Sequence, residues 1–274
     1  MALPPTNPPQ WLHWLESCPS TNTWALAHNL DGSVERSRLE HGDVVFTQQQ
    51  TAGRGQHGRT WYAPPGVLTA SIILDSIPAA HLPTLSLAAG LAVIYAIEDL
   101  LPSSEGLLRL KWPNDVLWQG RKLAGILCEA STTGAVGRAV VGIGLNRHVD
   151  FDQAGLDASA VGQPMSLHQI SPIVPDEISL LERLRHYLLQ TAGLLRSDKH
   201  THNSTGLSVL LPALRSRDAL IGHPITIQLD GVEISGEAAG INDRGHLLLQ
   251  LPKGEVRSFV SGHILSHSHV SPQL

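Results

Sequence analysis

Apolar residues change their spacing several times along the chain, and each change marks an element. Val44 to Gln49 opens on a short apolar run, and Val67 to Leu74 (VLTASIIL) is rich in β-branched and aliphatic residues; both predict strands. From His81 to Leu101 the pattern is long and dense in Ala and Leu, and it stops at Pro102, which predicts a buried helix. Strand-like pieces follow at Leu107 to Lys111, Val116 to Trp118 and Lys122 to Ala130, with Gln119-Gly120-Arg121 as a tight turn before the last. Ala139 to Leu145 (AVVGIGL) is a fully apolar strand running into Asn146. Glu177 to Leu195 reads as helix, and Val209 to Leu220 as a second, weaker one. Ahead of these, Ser20-Thr21-Asn22 precedes Thr23-Trp24-Ala25-Leu26-Ala27, an N-cap followed by an apolar helical turn.

After Gly222 the texture shifts to short strands at Pro224 to Leu229, Val232 to Ile241, His246 to Leu251 and Val256 to Val260. Asp230-Gly231, Asp243-Arg244-Gly245 and Lys253-Gly254 supply the turns between them. Hairpins this closely spaced suggest a β-barrel of about 50 residues packed on the main domain. The expected organisation is an α+β domain over 13–220, the β unit over 221–268, a proline-rich leader over 1–12 and a tail over 269–274.

With 42% apolar and 16% charged residues, a chain of 274 can bury a sizeable core, so disorder is not expected. A net charge of −5 argues against a general nucleic-acid surface, which needs a basic patch. No apolar run reaches the length expected of a membrane span, and MALPPTNPPQ lacks an apolar signal core. Cys18 and Cys128 are too few for a disulfide framework and suit a reducing cytoplasm. The fifteen histidines, including His200, His202, His267 and His269, lack the cysteine or carboxylate companions of a zinc signature.

The chemistry concentrates between Val44 and Pro65, VVFTQQQTAGRGQHGRTWYAPP. Gly53, Gly55 and Gly58 allow the backbone close to a ligand, and Arg54 and Arg59 offer bidentate donors to phosphate or carboxylate. Trp61 or Tyr62 could cover a flat ring. The spacing Gly53-x-Gly55-x-x-Gly58 imitates the dinucleotide fingerprint, but that motif needs a helix after its last glycine. Pro64, Pro65 and Gly66 forbid a sustained one here, so the anion must be held by arginines and loop amides. Gly142 and Gly144 leave one face of their strand bare, a mark of close approach by a ligand or another backbone.

In this order, the pieces resemble the biotin–protein ligases. The resemblance rests on Ser20-Thr21-Asn22, on Gln50-Thr51-Ala52-Gly53-Arg54-Gly55 with Gly58-Arg59 and Trp61, and on Lys111-Trp112-Pro113-Asn114-Asp115. It continues through Arg121-Lys122-Leu123-Ala124-Gly125-Ile126-Leu127 with Glu129, and Gly142-Ile143-Gly144-Leu145-Asn146, spanning about Trp14 to Leu265. It implies a class II aminoacyl-tRNA-synthetase-like catalytic domain with a mixed β-sheet and flanking helices, followed by an SH3-like C-terminal domain. It further implies activation of biotin by MgATP to biotinyl-5′-adenylate, then transfer to one lysine of the biotin carboxyl carrier protein of acetyl-CoA carboxylase. A monomer or homodimer acting on neither membrane nor nucleic acid is expected.

By resemblance, Ser20, Thr21, Asn22, Gln50, Arg54, Gly55 and Gln56 meet biotin, with Gly125, Gly142 and Gly144 as a wall and Lys122 nearest the carboxyl. Arg54, Arg59, Trp61, Lys111, Asn114, Asp115, Lys122 and Asn146 meet ATP or the adenylate, with Trp61 on adenine and Asp115 helping to hold Mg²⁺. Arg54, Lys111 and Lys122 are the expected catalytic cations, since activation brings a carboxylate against a phosphate. The chain departs from the family pattern at Gln56, where many members carry a third arginine. The nineteen residues before Ser20 are too few for the helix-turn-helix domain of the repressor members, so repression is not expected. Lipoate–protein ligase or octanoyltransferase activity is the nearest alternative, and a non-enzymatic carrier-binding adapter is the alternative of another class.

Overall fold

The computed structural model describes residues 6–30, 39–151, 164–196 and 206–267. His200, His202, His269 and the expected tail fall outside them. Seven strands form the main sheet: β1 (Leu12–Leu15), β2 (Val44–Thr47), β3 (Val67–Pro78), β4 (Leu108–Lys111), β5 (Asp115–Trp118), β6 (Arg121–Thr133) and β7 (Val136–Asn146). Their spatial order is β1-β2-β3-β7-β6-β5-β4; β1 and β2 run parallel and every other neighbouring pair antiparallel.

Strand alternation decides what each face carries. On β3, Leu68, Ala70, Ile72 and Leu74 point into the large core, joined there by Ala139, Val141, Ile143 and Leu145 of β7. Helices α2 (Leu85–Leu100), α3 (Glu177–Arg196) and α4 (Gly206–Ser216) contribute the rest of that core. The opposite face begins apolar, with Val45, Ile73 and Val140 packed on Ala25 of α1 (Thr21–Leu30). Further along the same face the pattern changes: β3 presents Thr69 and Ser71, paired in register with Gly144 and Gly142 of β7. The polar face beside α1 is where the site lies.

The apolar pattern predicted over His81 to Leu101 divides into a 3-10 turn, Ala79–Thr84, and α2, which ends before Pro102. Every residue from Leu85 to Ile94 is buried, as expected of a helix that is apolar all round. The expectation that no apolar run is long enough for a membrane span needs amending: Ala79–Leu100 meets that test by length and composition. Most of this stretch is buried inside the protein, which makes it a core helix.

The second unit consists of β8 (Pro224–Leu229), β9 (Val232–Ile241), β10 (Leu247–Gln250), β11 (Val256–Phe259) and β12 (His263–His267). They form one antiparallel sheet in the order β11-β10-β9-β8-β12. Ile225, Ile227, Leu247, Leu249 and Ile264 belong to the same hydrophobic cluster as the main core, so the two units share one interior. Polar contacts close the edge of β4 and then join the two units. Leu110 N–H donates to Arg217 O (2.7 Å) and Ala219 N–H to Leu110 O (3.0 Å), which covers the free edge of β4. The buried Trp112 indole donates to Gly245 O at 3.2 Å. Gly245 has φ +76°, and a Cβ there would press on Thr84 at 2.9 Å, so the turn can come this close only as glycine.

Differences from the sequence reading have local causes. The helix expected over Val209 to Leu220 starts at Gly206 and ends at Ser216, because the next residues pair with β4 instead. Strands β1 and β12 carried no clear pattern. Leu12 lies in the segment read as a leader, yet Val44 N–H donates to Trp11 O (2.8 Å) and Arg185 stacks on the Trp11 ring at 5.3 Å.

Candidate active site

Above the polar face lies a cavity of about 800 Å³, of the size used for small-molecule ligands. Every residue expected to contact biotin or nucleotide lines it, from Ser20 and Gln50 to Lys122 and Asn146.

One end is buried and polar. Ser20, Thr21 and Asn22 are at most 3% exposed, although they open a helix. Thr21 N–H donates to Gln50 Oε1 at 2.9 Å, and Ser71 Oγ lies 2.7 Å from Thr21 Oγ1 and 2.6 Å from Asn22 Oδ1. The Asn22 amide donates to Leu127 O (3.1 Å) and Glu129 Oε2 (2.9 Å). Glu129 then holds Arg54, with Nη2 at 2.7 Å, while Arg54 Nη1 donates to Thr23 Oγ1 at 3.2 Å. Gln50, Thr21, Ser71, Asn22, Glu129 and Arg54 thus form one continuous polar chain. Asn22 and Thr21 do far more than cap a helix.

The glycines of β6 and β7 make room for these side chains. A Cβ at Gly142 would lie 2.4 Å from Asn22 Oδ1, and one at Gly144 would lie 2.3 Å from the Trp61 ring. A Cβ at Gly125 would press between Trp61 (3.1 Å) and the Lys122 side chain (3.2 Å). The wall expected to face ligand therefore receives Asn22 and Trp61. Trp61 is delivered by the arginine loop, which folds on itself: Trp61 N–H donates to Gly53 O (3.0 Å) and Gly55 N–H to Arg59 O (2.7 Å). Its indole N–H is buried and finds no acceptor among the described residues.

The other end is cationic. Lys122 Nζ lies 2.6 Å from Asp115 Oδ1 and 5.5 Å from the centre of the Trp61 ring. Burial holds Lys111 below the usual lysine pKa; Asp115 opposes this, and Lys122 and Arg59 add to it. Asn114 and Asn146 are tied to backbone: Asn114 Nδ2 donates to Ile126 O (2.7 Å) and Asn146 Nδ2 to Lys122 O (3.1 Å). These bonds fix the β4–β5 turn against β6 and set the start of the Lys122 strand. No group of three His, Cys, Asp or Glu suited to a metal occurs among the described residues. A lone carboxylate, Asp115, suits an ion that arrives with phosphates and keeps most of its other ligands.

Thr69 and His263, outside the sequence expectation, also line the cavity, and Ser71 supports it from behind through Thr21 and Asn22. Ser71 had a legible signal, since Thr69 and Ser71 are polar at i and i+2 in an otherwise aliphatic strand. His263 had none. It comes from β12 in the second unit, and its two ring nitrogens lie 3.1 and 3.3 Å from the terminal nitrogens of Arg59.

Comparison with known proteins agrees with this architecture. Residues 14–146 match the model of the biotin/lipoate A/B protein ligase family, and 220–265 that of the biotin protein ligase C terminal domain. The biotin–[acetyl-CoA-carboxylase] ligase of Mycobacterium tuberculosis is 33% identical over 236 residues, covering 85% of this chain and 80% of that one. The bifunctional ligase/repressor BirA of Escherichia coli is 31% identical, over 82% of this chain and 67% of its own length. Among solved structures, the Aquifex aeolicus biotin protein ligase in complex with biotin and ATP superposes with a TM-score of 0.74. It is 23% identical, with 94% of this chain and 99% of that chain covered. The matched family and these relatives make the chain a protein ligase of the biotin/lipoate type. The chain belongs to the biotin protein ligases of that family.

Proposed function

We propose that this chain is a biotin–[acetyl-CoA-carboxylase] ligase, which activates biotin with ATP and delivers it to a lysine of the carboxylase's biotin carboxyl carrier protein. One observation carries the reading in this structure: a single cavity joins a buried, uncharged polar end at Ser20–Asn22 to a cationic end at Lys111, Lys122 and Arg59. The first end suits the ureido ring of biotin, with Gln50 and Asn22 already oriented by their own hydrogen bonds. The second suits the phosphates of ATP.

In the first step, a biotin carboxylate oxygen forms a bond to the α-phosphorus while the bond to pyrophosphate breaks. Negative charge gathers around that phosphorus, and Lys122, Arg54 and Lys111 would offset it from fixed positions. The Asp115 pair at 2.6 Å orients Lys122 before substrate arrives. Magnesium bound with the phosphates would add Lewis-acid charge neutralisation, with Asp115 as its protein oxygen. In the second step, the carrier lysine's neutral amine attacks the acyl carbon, the carbon–oxygen bond to AMP breaks, and the nitrogen loses a proton as the amide forms. Trp61 lies over Gly144 and beside Lys122, and in this reading it would stack on the adenylate base and exclude water. A cytoplasmic location fits Cys18 and Cys128, both free thiols, whose pKa values burial raises to about 11 and about 12.

The test is mass spectrometry of a carrier domain incubated with the protein, MgATP and biotin, alongside pyrophosphate release with biotin, lipoate or octanoate. A carrier gain of one biotin is expected. Pyrophosphate release with lipoate or octanoate but not biotin would overturn the assignment.

A further inference from the structure

The contact between His263 and Arg59 joins two domains at the cationic end of the cavity, and its geometry is unusual. Both ring nitrogens lie within 3.3 Å of guanidinium nitrogens, Nε2 at 3.1 Å from Nη1 and Nδ1 at 3.3 Å from Nη2. A neutral imidazole has one acceptor nitrogen, so both contacts cannot be hydrogen bonds. One of them is a hydrogen bond from Arg59 to the ring nitrogen that carries no proton, an acceptor that only a neutral ring offers. A protonated ring would place a second full charge against Arg59 at this distance.

The backbone leaves His263 little freedom to withdraw. Gly262, just before it, has φ +149°, and a Cβ there would lie 2.5 Å from Ile227. The strand is thus held tightly against β8, and the second unit is pinned to the catalytic domain through Trp112 and Gly245. Arg59 touches the ring, and the charges of Lys111 on β4, His57 on the loop and Asp115 on β5 also act on it. Asp115 is the one anion of this set and already pairs with Lys122. Burial, then Arg59, Lys111 and His57, hold His263 below the ordinary histidine pKa, with Asp115 opposing.

We infer that His263 couples nucleotide binding to proton uptake: it faces Arg59 as a neutral ring and becomes a charged phosphate-binding group when a polyphosphate enters the cationic end. The inference rests on the proposed function, which puts ATP in this cavity. A polyphosphate brings several negative charges among cations that otherwise repel one another. The ring, disfavoured as a cation beside Arg59, gains a proton because the incoming charge outweighs the guanidinium. A domain far along the chain thereby helps to recognise the nucleotide.

The experiment is titration calorimetry of the full chain with magnesium and α,β-methylene-ATP, in buffers of different ionisation enthalpy, which reports protons bound per ligand. Wild type should take up a substantial fraction of one proton, greatest at a pH between the free and bound values and smaller on either side. His263→Gln should still bind, with weaker affinity and the uptake largely gone, while its biotin affinity stays at the wild-type value. His57→Gln should keep the uptake. Within the window where His263 gains its proton, affinity for the analogue should fall by up to about tenfold per pH unit as pH rises. Nucleotide binding without proton uptake in wild type, or with uptake equal in His263→Gln, overturns the inference and leaves the ligase reading intact. If His263→Gln does not fold, the wild-type pH profile decides alone: a flat profile overturns the coupling. Absence of any nucleotide binding overturns both.

Discussion

Replacing Gly142 by alanine tests whether the polar end of the cavity depends on the packing seen between β7 and α1. The added Cβ would lie 2.4 Å from Asn22 Oδ1 and 3.0 Å from its Cγ, so the amide must retreat by roughly 1 Å to reach ordinary contact. Asn22 has little slack, since its amide bonds Leu127 O at 3.1 Å, Glu129 Oε2 at 2.9 Å and Ser71 Oγ at 2.6 Å. Losing the bond to the Glu129 carboxylate and one neutral bond costs about 2–4 kcal/mol. The lower chain entropy of alanine returns only about 0.5–1 kcal/mol, so the loss wins. If the cost appears in ligand binding, biotin affinity falls roughly 30- to 700-fold. If it appears in folding, the net loss of about 1–3.5 kcal/mol lowers the melting temperature by roughly 2–14 °C. Calorimetric titration with biotin and thermal unfolding on one preparation capture either outcome. A double-mutant cycle guards against a nonspecific effect: in an Asn22→Ala background the clash is gone, and Gly142→Ala should cost under about 0.5 kcal/mol. A single variant that melts and binds biotin like wild type would refute the reasoning, as would an equal cost in both backgrounds.

Other outcomes follow from single contacts. Lys122→Ala removes the cation paired to Asp115 at 2.6 Å, and adenylation should slow by about 10²–10³ with the circular dichroism unchanged; pyrophosphate release near the wild-type rate under saturating biotin and ATP would count against it. Gln56 lines the cavity without charge, so Gln56→Arg should slow release of preformed biotinyl-adenylate roughly 10- to 150-fold, from a charge-assisted contact of about 1.5–3 kcal/mol. An off-rate unchanged at two salt concentrations would mean that position 56 faces away from the phosphate. Asp176 caps α3, accepting from Ser179 N–H at 2.9 Å and Ser179 Oγ at 2.7 Å, and these bonds hold its carboxyl below the usual range. Because the folded-state pKa is the lower one, the contribution is complete above the ordinary carboxylate range and disappears as pH falls through the folded value. Asp176→Ala should therefore cost about 1 kcal/mol at neutral pH and progressively less in acid, read from urea unfolding at several pH values.

Much of the site was legible before any coordinates, because its parts lie in continuous motifs. Arg54 with its glycines, Lys111 to Asp115, and Lys122 to Gly125 are short runs whose residue types already announce an anion and close backbone approach. Partnership was not legible. Glu129 bonds both Asn22 and Arg54, residues more than seventy positions away, and no local pattern states which polar group completes another. The wall glycines show the same division. Their spacing showed a bare strand face, but that Asn22 and Trp61 would fill it depends on the crossing of α1 and the loop over the sheet.

The sequence by itself determined the type and order of the main elements, because apolar periodicity and Pro or Gly stops act within one element. The strand cores of β3, β6 and β7, the buried α2 and the long α3 follow from that local physics. It also determined the chemistry on offer, since residue type sets charge and hydrogen-bonding capacity wherever the chain goes. Tertiary structure alone decided β1 and β12, whose short stretches of four and five residues become strands only by pairing with β2 and β8. It ended α4 at Ser216, where the edge of β4 drew the following residues into pairing. It also brought His263 to Arg59 across 204 positions of chain. Contacts of that separation are set by how two domains bury a shared core, which no window of sequence contains.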